Sequence, residues 1–431
     1  MHSKDDKDGK DEELLIEGGT PLEGTIPISG AKNAALPIMA ASLLCEGTTT
    51  LKHVPDLTDV HTLTGVLEDI GMRTEWTGPQ TLELEVVDEG DCHPAYRFVR
   101  EMRASVCVLG PLTARRGRAE VPHPGGCDIG ARPLNLHKKG LRKLGADVRT
   151  ENGVIYVSAP QLEGRRMDLS GPFGSTVLGT ANVMMAATLA EGTTVIEQAA
   201  CEPEIQDLAC FLNACGASIS GIGTGELTIE GVDELQGTSY SIISDRIEAA
   251  TYAAAAIATG GRVTLKGVPC EHMSATIDIL SRTGADVHTD SETMKIDAPA
   301  RPQPVSFSTR PYPGLPTDVH PQMAAVLSLA DGESIITENV HPDRFTHVDE
   351  LNRLGADISR NGNSATLRGV DRLSGAHVTA KDLRAGAGLI IACLAAEGTS
   401  TVDGLDQVDR GYEQLVEKLT GVGAEIRRRP I

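Results

Sequence analysis

Three stretches of this chain gather residue types that can handle a small anion. In SGAKNAALP, residues 29–37, Lys32 and Asn33 stand at the entrance to an Ala-rich helical run. Helix N-terminal amides attract negative charge, and a lysine is poorly placed against that end of the helix dipole unless a bound anion accounts for it. The second stretch is MRASVCVLGPLTARRGRAEVPHPGGCDIGARPLNLH, residues 102–137. Its portion HPGGCDIGARP contains Pro124, Gly125, Gly126, Gly130 and Pro133, too many breakers for a regular element, and is expected to be a mobile loop of the kind that closes over an anion site. Cys127 sits in the middle of that loop with Arg132 five residues on, and guanidinium groups and free loop amides would lower the thiol pKa and make it reactive. The third group lies in the C-terminal half: Asp318 in PYPGLPTDVHPQ, Arg344 in ENVHPDRFTHVDEL, Arg384 in KDLRAGAG and Arg410 in DQVDRGYE. Any one arginine at a turn reads as a surface residue. Several at equivalent points of repeated units are better explained by convergence on one site, where they would bind phosphate or carboxylate through charge-assisted bonds.

The elements that must position these residues form an internal repeat. An LG-A or GAD signal recurs at Gly71, Gly145, Gly216, Gly284, Gly355 and Gly423, with gaps of 74, 71, 68, 71 and 68 residues. Ahead of most copies lies a small-residue helical run that stops at a glycine and gives way to β-branched residues, as in AALPIMAASLLCEGTTTL, ANVMMAATLAEGTTVI and AGLIIACLAAEGTSTV. A second, amphipathic helix follows, as in HTLTGVLEDIG, LHKKGLRKLG and HVDELNRLG. The copies divide as three plus three, with a change of texture near residues 241–247. The expected fold is therefore α/β, in two domains each built of three βαβαββ-type units. No GxGxxG or Walker sequence is present, which disfavours nucleotide binding through those folds.

Composition narrows the function further. The chain has 431 residues and a formal charge of −21, opposing nonspecific binding to nucleic acid or to an anionic membrane. Aromatics are only 3%, so stacked-base recognition is not expected. Nine cysteines, an odd number without zinc-ligand spacing, point to a reducing, cytoplasmic setting. Cys45, Cys107, Cys201, Cys210, Cys215, Cys270 and Cys393 read as ordinary buried residues. Residues 1–12 read as a polar tail, and no run approaches the ~20 apolar residues of a membrane span.

SGAKNAALP, the MRAS…GPL…PGGCxIGARP segment, YPxxPTD, ENxxxxRFxHVxEL, DLRAxAxL and DRGYE occur here in the order of the UDP-N-acetylglucosamine 1-carboxyvinyltransferase family of enolpyruvyl transferases, which the chain resembles from about residue 14 to residue 429. The resemblance implies two inside-out α/β barrels, one formed by residues 13–31 and 244–431 and carrying Asp318, the other by residues 32–243 and carrying the Cys127 loop. It implies transfer of the enolpyruvyl group of phosphoenolpyruvate to the 3′-hydroxyl of UDP-N-acetylglucosamine, through a tetrahedral ketal, with no metal or organic cofactor. Cys127 would then be the loop thiol acting as general acid or in product release, and the target of fosfomycin. Asp318 would be the base, and Lys32, Asn33, Arg103, Arg132 and Arg410 would hold phosphoenolpyruvate. Arg344 and Arg384 would support the intermediate's charge. The uridine nucleotide would lie along Arg132, Pro133, Leu134, Asn135 and Leu136, with Val340 lining the sugar pocket.

The sequence departs from the family pattern at three places. Asn135 stands where the family usually has an aspartate, Thr176, Val177 and Leu178 replace an SVG-like segment, and Asp128 follows the thiol directly, where it would raise the thiol pKa. Two other readings stay open: the 3-phosphoshikimate 1-carboxyvinyltransferase, which shares fold and chemistry but lacks the PGGC loop and the KNAALP form, and a noncatalytic paralogue serving as regulator or scaffold. An RNA-processing cyclase of related architecture is opposed by the acidic charge.

Overall fold

The small-residue runs become six helices: α1 (Lys32–Ala41), α2 (Leu109–Arg116), α3 (Val177–Ala187), α4 (Arg246–Thr259), α5 (His320–Leu327) and α6 (Leu383–Ala395). The computed structural model describes residues 12–125 and 133–431; residues 1–11, most of the expected tail, and 126–132, with Cys127, Asp128 and Arg132, lie outside them. Glu12, placed in the tail by its polar neighbours, instead opens the strand Glu12–Glu17. These helices are buried on nearly every face, which is why they show no polar stripe. Their alanines and glycines set how closely they pack. A methyl group on Gly388 of α6 would stand 2.6 Å from the carbonyl oxygen of Pro321 in α5, so only glycine permits that crossing.

The second helix of each unit packs outside: Thr58–Asp69, Asn135–Lys143, Pro203–Ala214, Ser274–Arg282, Val348–Arg353 and Leu415–Thr420. The recurrent glycine follows each of them in the left-handed region, at φ 88, 98, 106, 88, 95 and 96° from Gly71 to Gly423. The repeat signal is therefore the left-handed turn that ends the outer helix, a conformation that costs a residue with a Cβ far more than glycine.

Strands form the outer layers. In one sheet Arg262–Lys266 pairs parallel with Glu23–Pro27 and antiparallel with Thr293–Asp297, which pairs antiparallel with Asp286–Thr289. Four other sheets repeat this pattern of one parallel edge and two antiparallel pairs, around Thr49–Lys52, Thr193–Glu197, Glu333–Thr337 and Thr399–Asp403. The sheet of Arg118–Pro122, Val154–Ser158 and Asp147–Glu151 has three strands. Burial alternates along these strands, one face on the helices and one in solvent.

Two apolar cores result. One is built from residues 31–242, the other from residues 14–28 and 247–426. The N-terminal strand Glu12–Glu17 lies between Thr399–Asp403 and Glu425–Pro430, tying the chain's start into the second core. Two adjacent passes connect the cores, joined by hydrogen bonds from Ala31 N to Ile243 O (2.7 Å) and from Asp245 N to Ser29 O (2.8 Å). No helix among the described residues is long and apolar enough to cross a membrane.

The cysteines divide differently from expectation. Cys45, Cys107, Cys215 and Cys393 are buried, but Cys210 is exposed and Cys201 and Cys270 are half-buried. Cys210 falls on the outward face of an amphipathic outer helix, where apolar residue type does not guarantee burial.

Candidate active site

All six inner helices, or the turns leading into them, present their N-terminal ends to one cleft of about 290 Å³. Lys32 opens α1, Arg103 opens the turn before α2, Val177 opens α3, Arg246 opens α4, Asp318 lies in the turn before α5, and Arg384 follows the first residue of α6. The first turns of α1, α3, α4 and α6 reach the cleft, bringing N–H groups and the positive ends of their dipoles. Three starts are fixed by side-chain caps. Thr176 accepts from Gly179 N, Asp245 from Ile247 N and Glu248 N, and Asp382 from Arg384 N and Ala385 N. Losing such a cap costs about 0.5–2 kcal/mol.

Among the described residues, seven lysine and arginine side chains line the cleft against four carboxylates: Lys32, Arg103, Arg246, Arg310, Arg344, Arg384 and Arg410 against Asp59, Glu202, Glu204 and Asp318. A chain of formal charge −21 thus keeps a positive excess at one internal place. Asp59, 3% exposed, holds Lys32 Nζ on one oxygen and Arg410 Nε on the other, each at 2.9 Å. Burial alone would raise the Asp59 pKa, but the Lys32 and Arg410 charges overcome it and hold the carboxyl below its usual range. On the opposite side Glu204 receives Arg246 through two bonds, Nε at 2.9 Å and Nη2 at 3.1 Å, a fork that fixes the guanidinium at the cleft wall.

Asp318 is gripped by two arginines. Arg344 Nη1 donates to its Oδ1 at 2.6 Å and Arg384 Nε to its Oδ2 at 3.2 Å. Burial works to raise its pKa, yet the Arg344 and Arg384 charges hold it far below the carboxylate range. The two guanidinium groups are almost fully buried, whereas a quarter of the Asp318 side chain remains exposed toward the cleft. Among the described residues, the buried Arg344 Nε and Arg384 Nη1 have no hydrogen-bond acceptor. Together these groups make a carboxylate ionised at all ordinary pH values, flanked by donors suited to phosphate or carboxylate oxygens.

Asn33 and Val340 also line the cleft. Pro133, Leu134, Asn135 and Leu136 lead into and begin the outer helix Asn135–Lys143 and are not among the lining residues, so the strip expected to hold the nucleotide is not brought to the cleft in this structure. Cys127 and Arg132 lie outside the described residues.

The chain matches the family model of EPSP synthase (3-phosphoshikimate 1-carboxyvinyltransferase) over residues 16–419. It is 48% identical over 418 residues to the UDP-N-acetylglucosamine 1-carboxyvinyltransferase of Methylacidiphilum infernorum, covering 97% of this chain and 99% of that protein. The chain belongs to this enolpyruvyl transferase family. The protein of the same name from Coxiella burnetii is 47% identical, with 97% and 96% of the two chains covered. Among solved structures, the enolpyruvyl transferase NikO from Streptomyces tendae superposes with a TM-score of 0.88 at 23% identity, covering 98% of this chain and all of that one. An EPSP synthase from Acinetobacter baumannii gives 0.75 at 19%, with 97% and 100% covered. The enolpyruvyl transferase fold is thus shared while its sequence has largely changed.

Within this family frame, five charged cleft groups escaped the sequence: Asp59, Glu202, Arg310, and the pair Arg246 and Glu204. Asp59 sits in an ordinary first turn of an outer helix, and its role depends on an arginine 351 residues away. Arg246 and Glu204 are 42 residues apart and belong to different units. Only a local hint existed, the change of texture near residues 241–247.

Proposed function

We propose that the protein transfers the enolpyruvyl group of phosphoenolpyruvate to the 3′-hydroxyl of UDP-N-acetylglucosamine with release of phosphate, the first committed step toward peptidoglycan. The observation that carries this is the convergence of Lys32, Arg103, Arg344, Arg384, Arg410 and Asp318 on one cleft, in a chain nearly half identical to curated enzymes of that name. We assign the two cores to two inside-out barrels, residues 13–31 with 244–431 and residues 32–243, each of three βαβαββ-type units. The setting is cytoplasmic.

In this mechanism Lys32, Arg103 and Arg410 take the phosphate and carboxylate of phosphoenolpyruvate, with Asn33 beside them and the helix N-termini adding dipole field. The sugar hydroxyl oxygen bonds to C2 as its proton passes to Asp318, and C3 gains a proton to give the tetrahedral ketal. Loss of a C3 proton then re-forms the double bond as the C2–O bond to phosphate breaks. Cys127 serves as the loop acid or in product release and is the residue alkylated by fosfomycin. Arg132 and the residues after it, Pro133 to Leu136, bind the nucleotide, and Val340 lines the sugar pocket.

Asp318 needs one further condition. A carboxylate gripped by two arginines is a weak proton acceptor. Anionic substrate oxygens arriving at Arg344 and Arg384 would compete for those donors and restore basicity to Asp318 only when the site is loaded. The test is phosphate release from phosphoenolpyruvate with UDP-N-acetylglucosamine as acceptor, against the same assay with shikimate 3-phosphate. Release with the sugar nucleotide supports the assignment; release only with shikimate 3-phosphate, or with neither, replaces it by one of the two alternatives.

A further inference from the structure

Behind the Asp318 turn lies a carboxylate that does not itself line the cleft but bonds to three residues that do, Thr317, Val340 and His341. Glu338 is 0% exposed, and both its oxygens are saturated. Oε1 accepts from Thr309 Oγ1 at 2.7 Å and from the backbone N–H groups of Val340 and His341, each at 2.8 Å. Oε2 accepts from Thr317 Oγ1 at 2.9 Å and pairs with His320 Nδ1 at 3.2 Å. A buried carboxylate so fully satisfied is rigid, since any displacement strands several donors at once.

These donors come from the segments that carry the cleft's reactive groups. Thr317 and His320 flank Asp318 in sequence, and Val340 and His341 begin the stretch that ends at Arg344. The link is direct at Thr317. Its hydroxyl hydrogen goes to Glu338, which leaves its oxygen lone pairs to accept from Arg344 Nη1 at 3.2 Å, the same nitrogen that donates to Asp318 at 2.6 Å. Thr317 thus hands the orientation set by Glu338 to Arg344, and Arg344 hands it to Asp318.

We propose that Glu338 is a positioning residue for the transfer reaction, holding Asp318 and Arg344 in register through the relay Glu338–Thr317–Arg344. This rests on the reading of Asp318 as the base. A geometric error of about 1 Å at a reacting group costs on the order of 100-fold in rate, so a loosened relay would act on turnover. Phosphoenolpyruvate binding, held by Lys32 and Arg410 on the Asp59 carboxylate, would change little.

The test is steady-state kinetics of Glu338→Gln, Thr317→Val and the double variant in the full-length protein, with folded fraction checked by circular dichroism. Gln keeps the volume but replaces one acceptor oxygen with a donor. The expected result is a fall in kcat of about 10- to 100-fold for Glu338→Gln, with the KM for phosphoenolpyruvate within threefold. The double variant should be no slower than the slower single one, because both break the same relay. A kcat within twofold of wild type in folded Glu338→Gln overturns the proposal, and so do multiplicative effects in the double variant. If Glu338→Gln does not fold, Thr317→Val alone decides: reduced kcat at unchanged KM for phosphoenolpyruvate supports the relay, and unchanged kcat refutes it. Absence of activity in the wild type would instead strike the reading of the site.

Discussion

Asp59 and Arg410 form a 2.9 Å ion pair across 351 residues of chain, one contributed by the first core's outer helix and the other by a turn of the second core. The same carboxylate holds Lys32, so two cations assigned to phosphoenolpyruvate share one buried anion. Removing its charge should have two opposite effects. Asp59→Asn should destabilise the protein by about 3–5 kcal/mol, the usual cost of removing one partner of a buried ion pair, and should bind inorganic phosphate more tightly because Lys32 loses its carboxylate partner. Thermal melts with and without phosphate check both, with a larger phosphate-induced shift expected in the variant.

The pH behaviour of Asp318 follows from its two arginines. Its folded pKa lies below the unfolded value, so its stabilising contribution is complete above the ordinary carboxylate range and is lost as pH falls toward the folded pKa. Acid unfolding curves of wild type and Asp318→Asn should therefore converge as pH drops below about 4. In kinetics, kcat/KM should show no acid limb from Asp318 between pH 5 and 9. Asp318→Asn should lose about 100- to 10,000-fold in kcat, the range of a general base.

Asp207 behaves in the opposite sense. It is 5% exposed, and burial pushes its pKa up to about 6 despite hydrogen bonds from Tyr240 Oη (2.6 Å) and Ile243 N (3.2 Å). Its stabilising contribution is therefore present below about pH 4 and lost as pH rises through 6. Asp207→Asn can donate to the tyrosine oxygen and still accept from Ile243 N. The variant should gain up to about 3 kcal/mol over wild type at pH 8 and little at pH 4, as chemical denaturation at the two pH values would reveal.

Cys127, proposed as the reactive thiol, gives a chemical prediction. Cys127→Ala should nearly abolish turnover, while Cys127→Asp should keep part of it and resist fosfomycin. Full sensitivity of the aspartate variant to alkylation would remove Cys127 from that role.

Local signals carried much of this structure. The six glycines were visible because a left-handed turn after each outer helix demands that residue. The inner helices were visible because crowding at two centres demands small residues. Lys32, Asp318, Arg344, Arg384 and Arg410 stood out because each lies at a helix start or turn of its unit, and those ends converge on the cleft. Asp59, Glu204 and Arg246 were hidden because their partners lie in distant segments, whereas Glu338 opens a motif that stood out for its arginine, and its own bonds to Thr309, Thr317 and His320 are seen only in the fold. The placement of Cys201, Cys210 and Cys270 was misjudged because side-chain polarity does not show which face of an element looks outward.

The central claim is that one internal basin of cations serves enolpyruvyl transfer to a sugar nucleotide. The most direct measurement is phosphate release from phosphoenolpyruvate by the purified protein, with UDP-N-acetylglucosamine and with shikimate 3-phosphate in parallel. Phosphate should appear only with UDP-N-acetylglucosamine, in step with an enolpyruvyl ether on its 3′-oxygen. Release with shikimate 3-phosphate alone, or with neither acceptor, would contradict the account.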